Sequence, residues 1–217
     1  EDPGKYSCGF PTSEQRGGCW FPDKGNKSRF EDGGGQGYTG KQCATLGGIP
    51  ALDGNGEFTL SCGAGAGCKV PDFKAFNGYY TWGQVINDGS GLHRSTVRKY
   101  MTTFQTDAAI DWIRKQSQGG HANRPWMATV SYDAIHTPYQ PPPDDLYPPG
   151  FVWPEHVPQD CTSTEAVRIL SNLMLEAMDR EIGRLLVGIG LAQYGAGGEL
   201  VYTPQSSNTM VVLVGDN

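Results

Sequence analysis

The sequence has no excess of positive charge: 17 Lys and Arg stand against 23 Asp and Glu, a net charge of -6 and a pI of about 5.2. That balance offers no electrostatic footprint for nucleic acid or an anionic membrane surface. No stretch approaches the roughly 20 apolar residues that span a bilayer. The chain opens Glu1-Asp2-Pro3, with neither an initiator Met nor a basic, apolar leader, which reads as a mature or excised soluble segment. There is also no Cys-x-x-C and no His pair beside a cysteine, so the six cysteines point to disulfides and away from a zinc site. Disulfides in turn imply an extracellular or periplasmic compartment. Branched aliphatics are scarce early on, with only Leu46, Ile49, Leu52, Leu60 and Val70 in the first 75 residues.

What fills that early stretch is glycine and cysteine. It holds 17 of the 31 Gly and five of the six Cys, together with Phe10, Trp20, Phe21, Phe30, Phe58 and Phe73. Aromatic packing and cross-links must do there what aliphatics do elsewhere. Residues 1–75 therefore read as loop-rich and short-stranded, the heart of a Gly/Cys-rich insertion or subdomain over 1–99. Cys161 stands apart from the other five cysteines, and either closes a long loop or leaves one thiol free. The sequon Asn26-Lys27-Ser28 fits a surface loop but recurs easily by chance.

After about residue 95 regular periods emerge. Thr102 or Thr103 suits an N-cap, and Phe104, Ala108, Ala109, Trp112 and Ile113 recur at helical spacing before Gly119-Gly120. Trp126 through Tyr132 is an apolar run of strand length. Eight of the 15 prolines lie in 132–162, a density that excludes helix and central strand and predicts a long stiffened loop. Ser163 and Thr164 then cap a helix carrying Val167, Leu170, Leu173, Met174, Ala177, Met178, Ile182, Leu185 and Leu186 on one stripe, ended by Gly188 and Gly190. Met210-Val211-Val212-Leu213-Val214 reads as a strand buried on both faces, and it leads into Gly215-Asp216-Asn217.

Strand, loop, helix, strand is a βαβ pattern, whose right-handed crossover joins parallel strands. The expected fold class is therefore α/β, a mostly parallel sheet flanked by helices, with the Gly/Cys-rich segment as an irregular insertion. Ligands of such sheets bind outside the carboxyl ends of the strands. This places His136, Asp216 and Asn217 on one crevice roofed by the Pro-rich loop. A carboxylate beside a carboxamide offers hard oxygen ligands suited to calcium or magnesium, and two residues alone leave such a site incomplete. A histidine beside it can donate to an anionic ester or protonate a leaving group. Taken singly, His136 reads as a solvated loop residue and Asp216-Asn217 as a turn start; the Met and Leu stripe reads as core, and Asp179 as structural.

Four segments together carry a more specific signal. Pro125-Trp126 through Ala134-Ile135-His136-Thr137-Pro138 resembles the strand and Ala-Pro-His-Thr-Pro turn of the sulfatase family, within the alkaline-phosphatase superfamily, with Ile135 where a Pro is usual. Thr106-Asp107-Ala108-Ala109-Ile110-Asp111-Trp112-Ile113 resembles the family's preceding helix. Met178-Asp179-Arg180-Glu181-Ile182-Gly183-Arg184-Leu185-Leu186 resembles its Asp-x-x-Ile-Gly-x-Leu-Leu helix, and Asn208-Thr209-Met210 through Asp216-Asn217 its metal-binding strand. The resemblance covers 100–217, read as part of the catalytic domain. It implies hydrolysis of an aryl or carbohydrate sulfate ester around a divalent cation, calcium first and magnesium second. His136 matches the histidine that contacts the ester, and Asp216 and Asn217 match two metal ligands. The family's nucleophile is a formylglycine made from the Cys or Ser of a Cys/Ser-x-Pro-x-Arg motif.

That motif does not occur here. Cys8-Gly9-Phe10-Pro11 and Cys68-Lys69-Val70-Pro71 both place the proline one position late. The family's early Asp-Asp pair and Gly-Lys-Trp-His turn are also missing. The expectation is thus a partial sulfatase, inactive alone, whose partner is the remaining part of the sulfatase fold and whose formylglycine lies on a part not present here. The alternatives are a phosphodiesterase or phosphonate-ester hydrolase of the same superfamily, or a non-catalytic binding paralogue that lost the nucleophile.

Overall fold

The computed structural model describes residues 15–22, 28–55, 58–62, 67–71, 78–116, 118, 124–137, 139–157, 163–203 and 208–215. The chain divides into two compact units, Glu1–Phe104 with Asp133–Met178, and Gln105–Tyr132 with Asp179–Asn217.

In the first unit, β1 (Cys19–Pro22) is the centre of a three-stranded antiparallel sheet, with β2 (Ser28–Glu31) on one edge and β3 (Ile49–Pro50) on the other. Between β2 and β3 lies α1 (Gly40–Thr45), a single turn and a half. So short a helix is marginal by itself. It is held by a capping box, in which Thr39 Oγ1 accepts from the Gln42 amide at 3.1 Å and Gln42 Oε1 accepts from the Thr39 amide at 2.9 Å. A disulfide joins Cys43 of α1 to Cys19 of β1 across 24 residues, and removing that loop's freedom from the unfolded chain is worth about 3 kcal/mol. A second disulfide joins Cys62 and Cys68. The four described cysteines thus form disulfides, as their spacing implies; Cys8, Cys161 and the sequon residue Asn26 lie outside the described residues.

The hydrophobic centre of this unit is aromatic. Tyr79, Tyr80, Trp82 and Tyr100 are buried with Ala44, Val97, Met101 and Met174, and Phe104, Ala134, Tyr139 and Leu146 pack against them. Tyr80 and Tyr100 sit with ring centroids 5.2 Å apart, and Trp82 meets Phe104 edge-on at 5.1 Å. Trp82 opens β4 (Trp82–Asn87), which forms an antiparallel hairpin with β5 (Leu92–Val97). Only the base of that hairpin is buried; Val85, Ile86 and Leu92 are exposed.

Helix α2 (Met101–Gln116) starts one or two residues before the threonines that suit an N-cap. Helix α3 (Thr164–Gly188) begins as its capping residues imply, the Ala166 amide donating to Ser163 Oγ at 3.1 Å. Ala166, Leu170, Leu173, Met174 and Ala177 form its buried stripe at three- and four-residue steps.

In the second unit, Arg184 of α3 bridges Asp107 of α2 at 2.7 Å and Glu181 at 2.6 Å. Glu181 is 3% exposed, so this pairing is what makes its burial tolerable. Ile110 packs onto Gly188, and β6 (Ala192–Tyr194) and β7 (Leu200–Tyr202) close an antiparallel hairpin.

This architecture overturns the expected α/β class. Among the described residues every sheet is antiparallel and has two or three strands, and there is no mostly parallel sheet flanked by helices. The two runs read as parallel strands, 126–132 and 210–214, enter no ladder. An apolar run gains from strand formation only when neighbours pair its backbone and cover both faces. Here Met127, Met210 and Val214 are each 85% exposed, and Leu213 is 75% exposed. Hydrophobic pattern alone specifies the desire for burial and not the neighbour.

Two outcomes follow for the chain by itself. Gly48 lies against Cys19 Sγ and 2.9 Å of its would-be Cβ from the Trp20 carbonyl, so Gly48→Ala should overpack the disulfide and cost about 1–3 kcal/mol, read as a lowered denaturation midpoint. The uncharged, exposed 210–214 run should promote self-association, so Val212→Lys should lower light scattering at equal concentration; unchanged scattering would count against the run as its source.

Candidate functional site

The described part of the candidate site is a turn over 133–136 and the loop that follows it. The His136 amide donates to the Asp133 carbonyl at 2.7 Å, closing a four-residue turn. The Ala134–Ile135 peptide within it is cis. Ala134 packs on the aromatic centre while Ile135 and His136 face solvent.

Tyr79 supports this turn from beneath. Its hydroxyl lies 2.7 Å from the Asp133 carbonyl and 3.0 Å from the His136 carbonyl, and since a carbonyl only accepts, the phenol is the donor in both contacts. The Tyr79 amide donates to Gln140 Oε1 at 2.7 Å, and Gln140 is 2% exposed. Tyr80 donates to the Pro141 carbonyl at 2.8 Å. The Pro-rich segment is thus laid onto the aromatic centre through carbonyls that proline leaves available. Farther along, Lys41 Nζ pairs with Asp144, donates to the Tyr147 hydroxyl at 3.1 Å and lies 4.4 Å above the Tyr147 ring. Tyr147, Phe151 and Trp153 continue as an edge-on aromatic series, and Trp153 Nε1 donates to the Val157 carbonyl at 2.7 Å.

The imidazole itself has a defined orientation. His136 Nδ1 lies 2.7 Å from the Thr137 carbonyl oxygen. A carbonyl can only accept, so Nδ1 carries the hydrogen. In the neutral ring Nε2 is then the acceptor, and in the protonated ring it is the nitrogen that can donate to a ligand.

Of the residues expected at the site, His136 is described and exposed on a supported turn; Asp216 and Asn217 lie outside the described residues. Among the described residues there is no group of three or more His, Cys, Asp or Glu able to hold a metal ion. Tyr79 and Gln140 were not legible as site residues. The signal available was the Tyr79-Tyr80 pair in a segment poor in aliphatics, since a buried phenol must find an acceptor. Compared with models of protein families, with functionally characterised proteins and with solved structures, the chain matches none.

Burial holds the Tyr79 and Tyr80 phenols above the ordinary value of 10.0, with the neighbouring Tyr100 adding to the effect. A raised folded-state value means that the unfolded chain releases these protons first, so stability is intact below about pH 10 and falls as pH rises beyond it. Melting curves should stay level through neutral pH and drop above about pH 10, with a shallower drop when both residues are replaced by Phe.

Proposed function

We propose that this chain carries the ester-binding part of a sulfuric ester hydrolase, a sulfatase. The observation that carries the reading is the order of the four motifs across 100–217, with His136 in the turn and Asp216-Asn217 after the last apolar run. No single motif has that weight. The reading rests on these residues and their chemistry, and not on a parallel sheet.

In this reading the substrate is an aryl or carbohydrate sulfate. The protonated His136 ring, its Nδ1–H held by the Thr137 carbonyl, directs Nε2–H at the ester. Donating to the bridging oxygen, Nε2 passes its proton as the S–O bond breaks, and the alcohol departs neutral. The ring, now neutral with Nε2 bare, can accept a proton in the following step. Asp216 and Asn217 would hold a divalent cation, calcium before magnesium, through hard oxygen donors. When present, that cation supplies charge neutralisation at the sulfate oxygens, and a formylglycine on a further part of the enzyme supplies the nucleophile. No Cys/Ser-x-Pro-x-Arg motif is available in this chain to provide it. An extracellular or periplasmic setting accords with the disulfides. No helix among the described residues is long and apolar enough to cross a membrane.

The test is turnover of aryl sulfate against aryl phosphate diester by the full-length gene product. Sulfate ester hydrolysis should dominate; preference for the phosphate diester would replace the reading with a phosphodiesterase, and no turnover of either would leave a binding protein. His136→Ala should lower turnover by about 10²-fold or more while sparing metal content. Asp216→Ala should strip the cation, read by elemental analysis, and unchanged occupancy would remove that residue from the ligand set.

A further inference from the structure

We infer that Tyr79 is the positioning residue for the His136 imidazole, setting which ring nitrogen faces a ligand. The inference deepens the sulfatase reading in that it rests on His136 being the histidine of the site. One phenolic proton is shared between the carbonyls of Asp133 and His136, the first and last residues of the turn. The Asp133 carbonyl also receives the His136 amide, so the hydroxyl and the turn bond converge on one acceptor.

The anchor itself is fixed on three sides. The Tyr79 amide is held by Gln140, its carbonyl accepts from the Met101 amide at 2.7 Å, and its ring lies against Tyr100 at a centroid distance of 5.8 Å. The turn has Asp133, Ile135 and His136 exposed, and the buried phenol reaches the carbonyls at both of its ends. Tethering the His136 carbonyl restricts the rotation of the peptide that leads to Thr137, and the Thr137 carbonyl is the group that selects Nδ1 as the protonated nitrogen. Tyr79 comes from the Gly/Cys-rich segment, which makes that segment part of the site's support.

The experiment is Tyr79→Phe with Tyr80→Phe as matched control, both keeping ring and volume. Tyr80 donates to Pro141 and not to the turn, so its variant removes a buried hydroxyl from the same centre without touching His136. The readout is the tautomer of the neutral His136 ring by ¹⁵N–¹H long-range NMR of the full chain, assigned with His136→Ala. The wild type and Tyr80→Phe should show Nδ1–H, and Tyr79→Phe should shift toward Nε2–H or a mixture. An unchanged tautomer in Tyr79→Phe, or an equal shift in both variants, would overturn the inference. Should Tyr79→Phe not fold, Gln140→Met, which keeps the phenol but removes the acceptor of its amide, is expected to shift the tautomer in the same direction, and no shift there would count against it equally. In the full-length gene product Tyr79→Phe should lower kcat about tenfold with KM little changed. If the wild type cleaves no sulfate ester, the function fails while the NMR result still decides the positioning. If His136→Ala abolishes turnover and Tyr79→Phe leaves it intact, the positioning fails and the function stands.

Discussion

A buried phenol that must donate its proton is the constraint on which the larger unit depends. Burying Tyr79 and Tyr80 contributes large apolar area, yet an unsatisfied hydroxyl would cost about 1–3 kcal/mol each. The acceptors come from Asp133, His136 and Pro141, all in the stretch where prolines and turns leave backbone carbonyls without helix or sheet partners. One need answers the other. The aromatic centre becomes the floor of the histidine turn, and the described part of the Pro-rich segment is fixed with only the short 3-10 turn Asp144–Leu146 as regular structure of its own.

The same economy explains how a Gly-rich segment holds a shape. Lacking aliphatics, it closes a small sheet with the Cys19–Cys43 disulfide, caps a short helix from both directions and reserves glycine where the chain passes closest, as Gly48 does beside that disulfide. The second unit uses charge instead. Arg184 answers both Asp107 and the nearly inaccessible Glu181, so an i, i+3 pair within α3 is extended to α2. Such a triad adds little net stability, because desolvation offsets much of the attraction. Glu181 occupies a position that the apolar stripe of α3 does not reveal, since helical periodicity reports which face is inward and not which polar group is neutralised there.

Local elements were legible to the extent that their stabilisation is local. The Ser163 cap, the Leu170, Leu173 and Met174 stripe and the disulfide state of the described cysteines all follow from short-range rules. The apolar runs at 126–132 and 210–214 were the failure. A strand is stabilised by residues distant in sequence, so its pattern cannot name the partner, and these runs stand unpaired and exposed. The sequence reading put His136 in a loop after an apolar run, where the turn over 133–136 is found, whereas the contact of Tyr79 with Gln140, 61 residues apart in the chain, was not legible.

By itself, then, the sequence determined the chemistry on offer: an imidazole after one apolar run, a carboxylate and carboxamide after another, cysteines spaced for disulfides, and a net charge of -6. These are properties of residue type and spacing, and folding does not alter them. The tertiary structure decided the support and the orientation. It chose antiparallel ladders over a parallel sheet because pairing is a contest among distant segments, and it set the protonated nitrogen of His136 because a hydrogen bond to a backbone carbonyl exists only once the turn has formed.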